Sequence, residues 1–408
     1  MQRRILVISS FLPSRQSGGR VRLRALMRGL ARTHSVSLLS FVPPGADAEA
    51  TREMREDYDE VVIVPNDRIA GTRASKRALQ LHSLISPRSF ERLVCERPAF
   101  QVALDRMMAA SHFDVVHIEG CAMAHYDFPR GVPVVLDEQN VEYDVLRRVV
   151  SVTRALPRKL YNYIDFLKLR SEEQHTWRSV DACAVTSSRD EDFVKRVAPG
   201  TWTAVVPNAV DLERFTPGSP DLDRGTLLFF GEMGYYPNTD AMLFFLSEVL
   251  PRLRRSNPSA RLVIVGPSAP KAILRWASTD VIVTGAVPDV RPYIEAARAV
   301  VVPLRVGGGT RLKILEAMAM GKPVVSTRLG AEGLSVTDER DILLADDAES
   351  FADRVKRVLS DGDLARQLGA AARRTVENEY DWTTSVRKLE ALYETAMVAS
   401  SSSVARAA

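Results

Sequence analysis

The chain has 408 residues, of which 46% are hydrophobic and 26% charged, with a formal net charge of +4. That length accommodates two domains, and the composition is that of an ordinary soluble protein rather than a fibrous or disordered one. No apolar run approaches the roughly 20 residues that span a bilayer. The start, MQRRILVISSFLPS, places bases before an apolar stretch as a signal peptide does, but it lacks a small-residue cleavage site and is expected to be a first strand. Cys95, Cys121 and Cys183 are widely spaced, show no metal pattern and leave an odd one over, which predicts thiols in a reducing cytoplasm.

Short apolar runs alternate with amphipathic stretches twice along the chain. In the first half, strands are predicted at Ile5 to Ser9, Ser35 to Phe41, Glu60 to Val64, Val115 to Ile118, Val132 to Leu136, Ala182 to Thr186 and Thr203 to Val206. The segment PNAVDLERFTPGSPDLDRG, rich in Pro, Gly and Asp, marks a hinge near 207–225. Beyond it, strands are predicted at Leu227 to Phe230, Arg261 to Val265, Val281 to Thr284, Ala299 to Leu304, Val324 to Thr327 and Ile342 to Leu344. The fold class is therefore α/β, with two parallel sheets in domains 1–206 and 207–380. A last helix is expected over 381–400 and a disordered tail over 401–408.

Ligands of open parallel sheets bind outside the carboxyl ends of the strands, and the chemistry-bearing residues fall there. Gly18 and Gly19 follow the first strand and open a helix bearing Arg20, Arg22 and Arg24, suited to a phosphate or to a simple turn. Within 68–98, seven Lys or Arg against Glu91 and Glu96, interleaved with leucines, make a basic amphipathic stretch that suits an anionic bilayer or a solvated helix face. His117 and Glu119 are two apart on a strand and point the same way. Glu119 suits accepting a proton, while the alternative is a buried, satisfied histidine beside a glutamate paired with an arginine. Asn140 closes the next strand as a ligand contact or a turn residue. No compact nucleic-acid recognition motif is present.

The run Pro303 to Gly333 reads as strand, glycine loop, helix, turn, strand. Gly307, Gly308 and Gly309 let the backbone approach a ligand, Thr310 is an expected helix N-cap, and Arg311 and Lys313 add charge where the helix N-terminus already favours a diphosphate. Glu316 stands six residues after Thr310, about 9 Å along a helix axis, which is the reach from a diphosphate to the ribose of the same nucleotide. The alternative is a solvated glutamate after a mere turn.

Five segments, ILVISSFLPSRQSGGRVR, FDVVHIEG, VVPNAVDLERF, LLFFGEMGYYPNTDAMLFFLSEVLP and Gly307 to Gly333, resemble in order the retaining nucleotide-sugar glycosyltransferases of the GT-B fold, specifically glycosyltransferase family 4. The resemblance implies two Rossmann-like domains facing across a cleft, a C-terminal helix crossing back to the first, retention of configuration and no essential metal or other cofactor. It assigns the donor nucleotide sugar to Gly231, Gly307, Gly308, Gly309, Thr310, Arg311, Lys313 and Glu316. A glycan, lipid-linked or small-molecule acceptor falls to Gly18, Gly19, Arg20 and Asn140, and catalysis to Glu119, His117, Arg311 and Lys313. Departures are visible. Glu119 stands where the family commonly has the second of two histidines, Gln139 where a histidine is frequent, Gly308 where a glutamate is typical, and Glu232 where the second domain's first strand usually ends in an arginine. These leave open an epimerase or phosphorylase on the same fold, or a non-catalytic binding subunit. The expected location is cytoplasmic, with peripheral contact on the inner face of the membrane through 68–98.

Overall fold

The computed structural model describes residues 2–14, 18–45, 52, 54–55, 57–69, 71–153, 155–218 and 225–407, so part of the predicted hinge, 219–224, lies outside the described residues. The chain divides into two compact units, Met1–Pro207 with Thr383–Ala408, and Asn208–Trp382.

The first unit is built on seven strands: β1 (Arg4–Ser9), β2 (Ser35–Val42), β3 (Glu60–Pro65), β4 (Val115–Glu119), β5 (Val134–Glu138), β6 (Ala182–Val185) and β7 (Trp202–Val205). They form one parallel sheet in the order β3-β2-β1-β4-β5-β6-β7. The inner strands are buried almost without a break, as a parallel sheet covered on both faces requires. Leu6, Ile8, Phe41, Phe100, Ile118, Leu136 and Trp177 make up much of the core. Helices that matter below are α1 (Gly18–Leu30), α2 (Arg73–Ile85), α3 (Glu142–Val152) and α4 (Leu156–Ser179).

The second unit carries β8 (Thr226–Phe230), β9 (Arg261–Val265), β10 (Val281–Gly285), β11 (Ala299–Val302), β12 (Val324–Ser326) and β13 (Leu343–Leu344), parallel in the order β10-β9-β8-β11-β12-β13. Its key helix is α5 (Leu312–Ala319). Each sheet reverses its direction of growth once, between β1 and β4 and between β8 and β11, and a crevice opens outside the strand ends at such a point. All thirteen predicted strands are present, with ends shifted by two residues or fewer.

A last helix, α6 (Trp382–Ala407), follows the second unit in sequence but belongs to the first from Thr383 onward. Leu389, Leu392, Tyr393 and Ala396 are buried along it. Ser385 Oγ donates to Pro207 O at 2.9 Å, Glu394 meets Arg3 at 3.3 Å, and Val386 lies so close to α1 that a Cβ on Gly29 would fall 2.4 Å from its Cγ2. The backbone is helical to Ala407, where the sequence predicts a disordered tail from 401.

Candidate functional site

At the end of β11 the chain leaves the sheet through Pro303 and turns at Gly307 (φ 118°) and Gly309 (φ 69°), conformations in which a side chain is strained. Helix α5 then begins at Leu312, later than the sequence suggests. Thr310 is not its cap: Arg311 holds the N-cap position with no side-chain cap bond, and Thr310 Oγ1 instead accepts from Asn208 Nδ2 at 2.7 Å. The Asn208 bond draws the hydroxyl away from the helix end, which leaves first-turn N–H groups available to an anion.

Neighbouring β8 ends at Phe230, and Gly231 (φ 145°) follows. Lys313 reaches from α5 to this point. Its Nζ donates to Asn238 Oδ1 at 2.8 Å and lies 4.1 Å from the centroid of the Phe229 ring. A Cβ on Gly231 would fall 2.9 Å from Lys313 Nζ and 3.1 Å from Asn238 Nδ2, and one on Gly266 would fall 1.8 Å from Gly231 O. Glycine at 231 therefore makes room for the lysine, and glycine at 266 makes room for the backbone of 231. Asn238 Nδ2 donates to Glu232 O at 2.8 Å, which fixes the amide that orients Lys313.

Arg311 is buried, with its guanidinium donating to Gly309 O and lying 3.2 Å from where a Cβ on Gly307 would stand. Arg305 is bound instead through two bonds of 2.8 and 3.0 Å to Asp240, so it is committed elsewhere. Glu316 is half-buried on the second turn of α5, about 7.5 Å beyond Arg311 at about 1.5 Å per residue. Burial raises its carboxyl to about 7 against the pull of Arg214 and Lys313. Burial, then Arg311, lowers the Lys313 ammonium to about 7 against the opposing Glu316. The site thus holds two groups whose charges are both marginal near neutrality, and an arriving diphosphate favours the charged lysine.

In the first unit, register places Glu119 beside Asp137 on adjacent strands and His117 two residues earlier on the same face. All three are buried, as are Arg22 of α1 and Tyr393 of α6. Arg22 grips Asp137 with bonds of 2.9 and 2.7 Å and donates to Val206 O at 2.8 Å. His117 Nδ1 and the Tyr393 hydroxyl are hydrogen-bonded at 2.8 Å, and Gln139 Nε2 donates to Glu119 Oε1. Burial lowers His117 to about 4, with Asp137 opposing, and keeps it a neutral imidazole. Burial and then the adjacent Asp137 push the Glu119 carboxyl well above the usual range, against the opposing Arg22 and the Gln139 hydrogen bond. The arginine expected beside Glu119 goes to Asp137, and Gln139 takes its place.

His117 Nε2 lies 4.0 Å from both Glu119 Oε2 and Asp137 Oδ2. One ligand atom from each of the three lies within 4.8 Å of the others, a grouping that could hold a metal ion, while Asp137 also meets the Arg22 cation with both oxygens.

Of the remaining acceptor candidates, Gly18 has open space where a Cβ would stand, and the other three meet neighbouring protein groups. Gly19 lies under Gln139, whose Oε1 would be 2.3 Å from a Cβ there. Arg20 donates to Leu12 O at 3.4 Å over the Phe11 ring, and Asn140 Nδ2 donates to Glu142 Oε1 at 2.8 Å before α3, as a turn residue does. The structure therefore joins Gly231, Thr310, Arg311, Lys313 and the glycine loop at one strand-end crevice. It gathers His117 and Glu119 into an interior cluster away from solvent. Asn208, Asn238 and Asp137 were not assigned these roles from sequence. The Asn208–Thr310 bond, the reach of Lys313 to Asn238 and the β4–β5 register reveal them.

Residues 224–361 match the family model described as Glycosyl transferases group 1. Over nearly its full length, 93% of this chain and 92% of the relative, the chain is 26% identical to a glycogen synthase of Mycobacterium tuberculosis. It is also 26% identical to a GDP-mannose-dependent monoacylated alpha-(1-6)-phosphatidylinositol monomannoside mannosyltransferase of Corynebacterium glutamicum, over 43% of this chain and 52% of that protein, so it spans about half of that relative. Among solved structures, a sucrose-phosphate synthase from Thermosynechococcus elongatus superposes with a TM-score of 0.70 at 18% identity, covering 98% of this chain and 100% of that one. Anabaena HepE, solved in complex with UDP-glucose, gives 0.65 at 14% identity over 98% and 100%. Residues 224–361 are thus similar to the glycosyl transferases group 1 model, and the fold has the two Rossmann-like halves of these GT-B structures.

Proposed function

We propose that this protein moves a hexose-type sugar from a nucleoside diphosphate sugar to a hydroxyl of a glycan, lipid-linked or small-molecule acceptor, with retention of configuration as in family 4. The observation that carries the reading is the junction of β8 and β11, where Lys313 stands against Gly231 beside a glycine loop and an uncapped helix start. When the glycosidic bond to the diphosphate breaks, negative charge grows on the leaving group. The N–H groups of α5, Lys313 and Arg311 are placed to stabilise that charge without an essential metal. Glu316 accepts the ribose hydroxyls. We place the protein in the cytoplasm, where its three free cysteines remain reduced.

The burial of Glu119 and His117 supports a second reading, a subunit that binds the nucleotide sugar without cleaving it. One experiment separates the two. The wild type and the Arg311→Ala/Lys313→Ala double variant are incubated with UDP-, GDP-, ADP- and dTDP-sugars and acceptor extract, and nucleoside diphosphate release is measured. Release from one donor that vanishes in the double variant supports transfer. Donor binding without release in the wild type favours the binding subunit, and neither binding nor release removes the site.

A further inference from the structure

Helix α2 has an inverted burial pattern. Its polar Ser83 is fully buried, while Leu81 and Ile85 are 66% and 85% exposed and Leu84 is exposed with them. These three stand at spacings of three and four with Arg77 and Gln80, one continuous face of a helix. Ser83 is turned inward to α4, where its hydroxyl meets the Tyr161 hydroxyl at 3.1 Å and its carbonyl accepts from Lys168 Nζ. The packing of α2 on α4 thus uses the polar side of α2 and leaves the apolar side uncovered.

Helix α4 repeats the arrangement over its first three turns. Leu156, Leu160, Tyr163 and Leu167 fall at steps of four, three and four, a single stripe, and all four are exposed, Leu156 at 77% and Leu160 at 61%. Seven of the large exposed apolar side chains of the described residues lie on these two touching helices. A shallow hollow between them is lined by Arg77, Gln80, Leu81, Leu84 and Tyr161. Soluble surfaces seldom gather apolar side chains in this way without a partner.

Charge identifies the partner. The segments 73–90 and 153–164 contain Arg73, Lys76, Arg77, Arg88, Arg154, Arg158 and Lys159 and no Asp or Glu. Lys76, Arg77, Arg158 and Lys159 are exposed. Protein interfaces are depleted of lysine, whereas leucine and tyrosine rimmed by Lys and Arg suit the boundary between acyl chains and anionic headgroups. This face is narrower at one end and wider at the other than the basic stretch 68–98. Arg88 and Arg97 are paired with Glu96 and Asp67, and Leu93 is buried, while α4 brings in residues the sequence pattern did not include.

We propose that the exposed face of α2 and the first three turns of α4 docks on an anionic lipid bilayer, with the leucines, Ile85 and Tyr163 at the acyl boundary and the bases on the headgroups. The inference does not depend on sugar transfer. The test is co-sedimentation of the full chain with vesicles of phosphatidylcholine alone and of phosphatidylcholine mixed with phosphatidylglycerol, in low and high salt. Binding is expected with the anionic vesicles, weakened by salt. Two pairs of substitutions, Leu81→Ser/Ile85→Ser and Lys76→Glu/Lys159→Glu, should each reduce it by at least about tenfold. Both pairs are at exposed positions, and unchanged circular dichroism and thermal unfolding confirm that the fold is retained. Absence of wild-type binding would overturn the proposal, as would binding indifferent to lipid charge and to both variants. So would a concentration-dependent dimer that requires Leu81 and Ile85 and does not bind vesicles, since the face would then be covered by a second copy.

Discussion

Lys313 and Glu316 are one turn apart on α5, and burial brings each to about 7 from opposite directions. The lysine is charged below that value and loses its charge as pH rises. The glutamate is charged above it and loses its charge as pH falls. Donor affinity, measured by titration calorimetry with a nucleotide sugar from pH 5.5 to 8.5, is therefore expected to peak near neutrality. Lys313→Arg should flatten the alkaline arm, because guanidinium stays charged, and Glu316→Gln the acid arm. Glu316→Ala should weaken the donor by about 1.5–3 kcal/mol, the value of a hydrogen bond to a charged group. An unchanged dissociation constant in that variant would remove Glu316 from the site. Gly231→Ala is expected to destabilise the protein by more than about 1 kcal/mol in urea denaturation, since its φ is positive and its Cβ would press on Lys313. The glycine turn and the helix bearing Lys313 were legible in sequence because a strand–loop–helix passage has a local pattern. Asn208 and Asn238 were not, because each acts on a residue at least 75 positions away.

At the scale of elements, α1, β4, β5 and α6 are joined through Arg22, Asp137, His117 and Tyr393 rather than through apolar packing alone. Arg22 sits on the face of α1 that also buries Leu23, Leu26 and Met27, and Asp137, with the Val206 carbonyl, makes its burial tolerable. Arg22→Met should cost about 3–5 kcal/mol in chemical denaturation, because a carboxylate remains in the interior without its partner. Arg22→Met with Asp137→Asn should recover a large part of that loss. Periodicity predicted the strands correctly, since a parallel sheet covered on both faces selects continuous apolar runs. The same apolar context concealed the polar cluster, and of the two readings left open for His117 and Glu119 the structure places both residues in the interior, with Gln139 rather than an arginine on Glu119.

Across the whole molecule, residues 383–408 complete the first unit although they follow the second in the chain. Truncation after Trp382 should strip the first unit of Leu389, Leu392 and Tyr393, each stabilising by about 1.5–3 kcal/mol through burial, and leave the second unit's core intact. Hydrogen exchange followed by mass spectrometry checks this. Faster exchange is expected in β1, β4 and β5, with β8 and β11 unchanged, whereas uniform loss of protection would show that the units do not hold their cores separately. Among the described residues, no helix is long and apolar enough to cross a membrane.

The sequence by itself determined the two parallel sheets, their thirteen strands and the glycine-to-Glu316 cassette, because each rests on residues a few positions apart whose spacing the backbone converts directly into a face or a turn. Tertiary structure decided which polar groups meet. The β4–β5 register set Glu119 beside Asp137, α5 carried Lys313 across to Gly231, and the inward turn of Ser83 put Leu81, Leu84 and Ile85 of α2 in solvent. Such pairings depend on how elements cross and on which side of a helix the packing chooses, and one-dimensional spacing carries neither.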